Sequence, residues 1–367
     1  MTARATPLNA RHRASKARMV EFAGWSLPQQ YSSVRDEHRA VREGTGVFDV
    51  SHMGRLLVSG PGTPEFLQRM LTNDVGRLGS RRCQYTLLCS ASGGIIDDLI
   101  VGRGEEAADP WWVVVNAANR ERDLAWLRDH APAGVEVRDR TEETALLAVQ
   151  GPAAASLLRS QGLDLEELRS FAWREAELAG IPITVSRTGY TGEDGFELTV
   201  GSAQAVCLWD MLCEHGAVPC GLAARDVCRL EAALRLYGSD MDDATDPFEV
   251  GLGWVVKLEK GEFEGSDALR ERRGGGSRRK MIGVLGSRRV IPRHGQLLSR
   301  NGAAVGFVTS GTFSFSLDRG VGLALVEADA AESPDPLIVT QRGGGDAVTV
   351  DPTGLPFYRR QPRQTPV

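Results

Sequence analysis

A chain of 367 residues is longer than one hydrophobic core usually fills, so two or three domains are expected and a lone small module is excluded. Charged residues make up 25% and hydrophobic ones 42%, the balance of an ordinary folded protein, and a formal net charge of −5 calls for no nucleic-acid partner. No run approaches the roughly 20 apolar residues that span a bilayer, and the basic N-terminal stretch lacks the apolar segment of a secretory signal, so the expectation is a cytoplasmic protein with no membrane partner. The six cysteines form no CxxC pair, and no histidine stands at zinc-ligand spacing, so no metal site is expected.

Along the chain, residues 46–50 and 54–59 alternate apolar with polar or small residues as half-buried strands do, and residues 64–71 show helical spacing through Phe66, Leu67, Met70 and Leu71. Strands are expected at 85–89, 94–102 and 111–116, too close together for crossover helices and therefore antiparallel. Residues 118–130 read as a helix with Asn119 as its N-cap. A strand at 146–149 ends at Gly151-Pro152, which opens another helix, and strands at 183–187 and 196–200 bracket a Gly-rich loop at 188–195. Helices follow at 203–213 and 223–234. Three glycines inside the basic run 272–280 read as a flexible boundary. Everything beyond is strand-like, at 282–285, 304–309, 321–325, 337–340 and 347–350, which suggests a small barrel or sandwich appended to an α+β body.

Three patches concentrate chemistry. In Gly93-Gly94-Ile95-Ile96-Asp97-Asp98-Leu99-Ile100-Val101, two carboxylates interrupt an apolar strand, and the period of two sends them to opposite faces. A carboxylate beside an apolar face is costly unless partnered or functional, although both also suit the turn after Gly94. The stretch Arg187-Thr188-Gly189-Tyr190-Thr191-Gly192-Glu193-Asp194-Gly195-Phe196-Glu197 combines glycines that permit close backbone approach with a ring and a carboxylate, on what is otherwise an ordinary hairpin turn. In Gly221-Leu222-Ala223-Ala224-Arg225-Asp226-Val227-Cys228-Arg229-Leu230-Glu231, Arg225 and Arg229 share a helix face. They suit a carboxylate or an electron-rich ring, or else an exposed helix laced with ion pairs.

Read in order, these segments resemble the glycine cleavage T-protein (aminomethyltransferase) family over nearly the whole chain. The resemblance starts at Met19-Val20-Glu21-Phe22-Ala23-Gly24-Trp25 and Phe48-Asp49-Val50-Ser51-His52-Met53-Gly54, and continues through Thr72-Asn73-Asp74-Val75, Val149-Gln150-Gly151-Pro152 and the three patches. Gly251-Leu252-Gly253-Trp254, Ile291-Pro292-Arg293-His294-Gly295 and Val308-Thr309-Ser310-Gly311-Thr312-Phe313 complete it.

The resemblance implies an α+β folate-binding body of two interwoven antiparallel-sheet subdomains over 1–275 and a C-terminal β-barrel over 276–367, three domains in all. It implies transfer of a methylene carbon from the aminomethyl-dihydrolipoyl arm of a lipoylated H-protein to tetrahydrofolate, bound as co-substrate. It assigns Asp97 as the catalytic carboxylate and Tyr85, Tyr190, Glu197 and Arg225 as folate-site residues, with Asn116, Trp254 and Met53 as further candidates. His52 is given a packing or hydrogen-bonding role. An Arg or Tyr near the C-terminus is also expected at the folate, with Tyr358, Arg359, Arg360 and Arg363 as candidates. Two departures stand out: Ser314-Phe315 where the family commonly has Ser-Pro, and the unusually basic run at 272–280.

The competing readings are a tetrahydrofolate-dependent demethylase of the same fold, and a non-catalytic folate-binding protein. Relatives of the latter carry a Lys-Gly-Cys-Tyr type signature, which this sequence lacks. The flavin-linked relatives carry a further Gly-rich fingerprint that is also absent, so no flavin is expected.

Overall fold

A computed structural model describes residues 3–106, 108–340 and 347–360. The chain enters a six-stranded sheet at Gly46–Asp49, leaves it to build a separate five-stranded sheet, and returns at Thr144–Gln150, so the two subdomains are interwoven. The five-stranded sheet runs Cys83–Cys89, Ile95–Gly102, Trp111–Val115, Gly54–Ser59, Glu136–Asp139, with every pairing antiparallel. The six-stranded sheet runs Trp173–Leu178, Ile181–Ser186, Gly195–Gly201, Thr144–Gln150, Gly46–Asp49, Val218–Pro219, and only its last pairing is parallel. A small sheet near the N-terminus joins Arg4–Ala5, Trp25–Gln30 and Arg18–Phe22.

Thr144–Gln150 shows why the body needs two layers of packing. It is an apolar run, and alternation divides it: Ala145, Leu147 and Val149 enter one core, while Leu146 and Ala148 enter another beside Phe48, Val50 and Ala224. Each fully buried leucine contributes on the order of 1.5–3 kcal/mol, so both faces drive the assembly.

The C-terminal strands close into a six-stranded barrel ordered Arg279–Leu285, Arg319–Glu327, Ala303–Ser314, Leu297–Arg300, Leu337–Thr340, Ala347–Thr353. Closure settles the choice between barrel and sandwich. In Arg319–Glu327 the same alternation sends Ala324 and Val326 into the barrel and Val321 and Leu323 outward against Leu230 and Ala233 of the body. A register shift at Thr309 bends the neighbouring strand and turns its polar side chains toward the body: Thr309 Oγ1 donates to Asp240 Oδ1 at 2.6 Å, and Ser310 Oγ accepts from Arg229 at 2.9 Å.

Two local expectations change. The glycine run at 274–276 is not simply a linker, because the helix Ser266–Gly275 extends into it and Gly276 ends that helix with φ +76°. Asn119 stands at the N-cap of Arg120–His130 but makes no side-chain cap, because its amide is turned the other way and donates to Asp97.

Candidate active site

Where the two sheets, the helix Leu222–Glu231 and the barrel meet, they enclose a cavity of about 1070 Å³. The barrel closes one side with Arg293, Gly311, Leu355 and Pro356.

The back wall is the hairpin Cys83–Cys89 and Ile95–Gly102. Tyr85 lies opposite Ile100, and Asp98, two residues before Ile100, is its diagonal neighbour on the same face. Accordingly the Tyr85 hydroxyl donates to Asp98 Oδ2 at 2.9 Å. Asp98 and Ile100 line the cavity, Leu99 reaches both the cavity and the core of the five-stranded sheet, and Val101 packs into that core. Asp97 is absent from the cavity lining and is 0% exposed behind it. The carboxylate that meets the cavity is therefore Asp98, one residue along from the sequence assignment. The expected alternation is present, but sequence gave no means of telling which face was the open one.

Asn116 joins the two carboxylates. Its backbone N–H donates to Asp97 Oδ2 at 2.9 Å, and its side-chain Nδ2 reaches Asp97 Oδ1 at 2.8 Å and Asp98 Oδ1 at 2.7 Å. Burial, then the adjacent Asp97 charge, pushes the Asp98 carboxyl up to about 7. A carboxyl so tuned can accept a proton near neutral pH.

On the opposite side, Glu197 leaves Gly195–Gly201 beside the cavity and accepts a short hydrogen bond from Thr188. Arg225 stands over the Tyr190 ring at 4.7 Å, and its buried Nη1 has no hydrogen-bond partner. Burial lowers the proton affinity of this guanidinium, against the opposing charge of Glu197. Tyr190 is anchored through its hydroxyl to the Arg235 carbonyl. Tyr85 stacks on Trp254 with ring centroids 5.9 Å apart and planes 21° from parallel, and Trp254 is 60% exposed. Flat aromatic walls, one carboxylate acceptor and one orphaned guanidinium donor make a receptor for a planar heterocycle with both donors and acceptors on its rim.

Models of two domain families match the chain: the GCVT N-terminal domain over residues 8–260 and the glycine cleavage T-protein C-terminal barrel domain over residues 279–359. The chain belongs to the glycine cleavage T-protein family. It is 45% identical over 362 residues to an aminomethyltransferase of Geobacillus thermodenitrificans, covering 97% of this chain and 98% of that protein. To an aminomethyltransferase of Rubrobacter xylanophilus it is 46% identical over 363 residues, covering 98% and 95%. The crystal structure of the glycine cleavage system aminomethyltransferase T from Bartonella henselae superposes with a TM-score of 0.90 at 34% identity, over 97% of this chain and 98% of that one.

Of the site residues expected for this T-protein family member, Tyr85, Asn116, Tyr190, Glu197, Arg225, Trp254 and Met53 all line the cavity. His52, expected to pack or to hydrogen-bond, lines it too, with its Nδ1 unpartnered and its ring edge-on to Phe22 at 5.9 Å. Burial, then the Arg225 charge, depresses the imidazole to about 3, so it stays neutral at physiological pH and is no general acid there.

The C-terminal candidates separate differently. The Tyr358 ring lies 4.0 Å under Arg42, and Arg360 pairs with Asp194 at 3.4 Å, so both brace the body from outside the cavity lining. Arg359 is exposed, and Arg363 lies outside the described residues. Arg229, Arg235 and Arg293 also line the cavity. Arg229 was legible in the sequence through its shared helix face with Arg225, whereas Arg235 and Arg293 reach the cavity only through long-range packing.

Proposed function

We infer that the chain is the aminomethyltransferase of a glycine cleavage system, carrying a methylene carbon from the aminomethyl-dihydrolipoyl arm of H-protein to tetrahydrofolate. The products are 5,10-methylenetetrahydrofolate, ammonia and dihydrolipoyl H-protein. The observation that carries this reading is the unpartnered Arg225 Nη1 beside the Glu197 carboxylate, in one cavity with a carboxyl tuned to about 7. A pterin supplies what each of these groups lacks. Glu197 accepts from its amino and ring N–H groups, Arg225 donates to a ring acceptor, and Tyr190, Tyr85 and Trp254 provide walls to stack against.

In the transfer, the carbon's bonds to nitrogen and sulfur are replaced by bonds to two folate nitrogens. The two folate N–H protons end on the departing ammonia and on the freed thiol, so the step needs no oxidant or reductant. Asp98 accepts a proton from the attacking nitrogen, and Tyr85 and Asn116 hold its carboxylate in position. Asp97 supports Asp98 from behind. On this reading the enzyme works in the cytoplasm, in keeping with six cysteines that are all unpaired. No helix among the described residues is long and apolar enough to cross a membrane.

Turnover with aminomethylated H-protein, compared with turnover with a sulfonium methyl donor, tests this reading against a demethylase. Methylenetetrahydrofolate from the first donor alone supports the aminomethyltransferase. Methyltetrahydrofolate from the sulfonium donor alone overturns it.

A further inference from the structure

Behind the cavity wall a third carboxyl joins Asp97 and Asp98, and the hydrogen-bond donors around the three are unequally divided. Asp97 accepts three N–H bonds, from the Asn116 backbone at 2.9 Å, Asn116 Nδ2 at 2.8 Å and Asn119 Nδ2 at 2.6 Å. Asp98 accepts from Tyr85 and Asn116. Asp123 lies with Arg120 and Leu127 on the inward face of Arg120–His130 and is 0% exposed, and neither of its oxygens receives a hydrogen bond. Its carboxyl lies within hydrogen-bond reach of the Asp97 carboxyl.

Donor count decides how these groups are charged. A buried carboxylate with no donor costs several kcal/mol, while a neutral carboxyl can itself donate. Two carboxyls in contact cannot both ionise, and Asp97, with three N–H donors, is the one equipped to be the anion.

We propose that Asp123 is a standing neutral acid whose O–H donates to Asp97, fixing Asp97 as the anion behind Asp98 and making Asp123 a positioning residue for proton transfer. The part concerning proton transfer rests on the reading of Asp98 as the base. Burial, then the Asp97 charge, holds the Asp123 carboxyl up at about 10, in agreement with that donor count.

The other polar groups around the cluster do not alter this assignment. Tyr85 is spent on Asp98, and Tyr190 on the Arg235 carbonyl. The Tyr237 hydroxyl donates to the Ile95 carbonyl at 3.2 Å. Arg122, next to Asp123 in the chain, is turned away into a two-pronged pair with Asp243 at 2.8 and 2.5 Å, and Arg120, on the same inward helix face as Asp123, donates to Asp139 at 2.7 Å. The proton on Asp123 is thus the charge that lets an anion sit behind Asp98, and that anion raises the affinity of Asp98 for the substrate's proton.

Carboxyl-carbon NMR of the full-length, folate-free protein labelled at aspartate tests the proton directly, with Asp123→Asn serving to assign the resonance. The expected result is one neutral-acid signal that does not titrate between about pH 5 and pH 9 and is lost in the variant. An Asp123 signal already ionised at neutral pH overturns the proposal, whatever the enzyme's activity.

The pH profile of kcat/KM tests the consequence. In Asp123→Leu, Asp97 loses its O–H donor to an apolar neighbour and is drawn toward its neutral form, Asp98 loses charge behind it, and the acid limb moves down by about one pH unit. Asp123→Asn keeps an N–H donor for Asp97 and holds the limb within about 0.3 unit of the parent. A folded Asp123→Leu protein whose limb coincides with the parent's overturns the coupling, and if that variant does not fold, the NMR result decides. Absence of any methylenetetrahydrofolate from the parent enzyme counts against the functional reading, while the NMR result still stands for or against the proton on Asp123.

Discussion

Asp97 and Asp98 are neighbours in sequence that meet opposite environments, one enclosed by amide N–H groups and one open to the cavity. The Asp98 carboxyl is raised to about 7, so with Asp98 as the proposed base kcat/KM should climb as pH rises through about 7 and level off above it. A flat profile from pH 5 to pH 8 would remove Asp98 as that base. Across the cavity, Glu197→Gln replaces a charged acceptor with a neutral one. Such bonds contribute about 1.5–3 kcal/mol, so folate Kd measured by calorimetry should rise roughly 10- to 100-fold. An unchanged Kd would refute the pterin-anchor role. Most of these residues were legible in the sequence as members of motifs. What it withheld was direction, because alternation separates Asp97 from Asp98 without saying which face is open, and only the register of Tyr85 against Ile100 supplies that.

The helix Leu222–Glu231 carries more of the architecture than its sequence announced. The spacing of Arg225 and Arg229 also suited an exposed helix with ion pairs, yet Arg229 is 2% exposed. Its guanidinium bonds Asp226 at 2.7 Å, Asp240 at 2.6 Å and Ser310 of the barrel at 2.9 Å. The helix sits so close to the N-terminal small sheet that a Cβ on Gly221 would lie 2.3 Å from the Gln29 carbonyl oxygen. Truncating one partner of a buried pair leaves the other uncompensated, so Arg229→Met should cost about 3–5 kcal/mol in urea unfolding. A loss below about 1 kcal/mol would mean that the pair is not the joint described. The loop at 188–195 is a related case. Its glycines were read as allowing a ligand to approach, but a Cβ on Gly189 would sit 2.0 Å from the Gln150 amide oxygen, and Gly192 has φ +81°. Packing and turn geometry already require them.

At the scale of the whole molecule, Glu231 ties body to barrel. Its carboxylate accepts from His38 at 2.9 Å, Arg42 at 2.8 Å, Ser314 at 2.6 Å and Ser316 at 2.9 Å. Burial alone would raise this carboxyl, but the His38 hydrogen bond and the charges around it hold it down at about 2. A depressed carboxyl contributes stability above its ordinary value of 4.5 that is lost as pH falls from there toward 2. Glu231→Gln should therefore lose about 3 kcal/mol at neutral pH, flatten that acid slope and speed amide exchange in the barrel strands. Unaltered exchange across Arg319–Glu327 would contradict the clamp. Ser314 and Ser316 flank Phe315, so the departure noted in the sequence lies beside this clamp and outside the cavity lining. The barrel itself was legible from its uninterrupted strands. Its contribution to the cavity was not, because that depends on contacts between residues far apart in the chain.

The proposed function turns on Asp98, the carboxylate that meets the cavity. The most direct test is single-turnover formation of methylenetetrahydrofolate from aminomethylated H-protein by Asp98→Asn, with folate affinity measured in parallel. The account predicts a rate lower by at least about 100-fold with folate Kd within a few-fold of the parent. Asp98→Asn working at the parent rate with folate bound would contradict it.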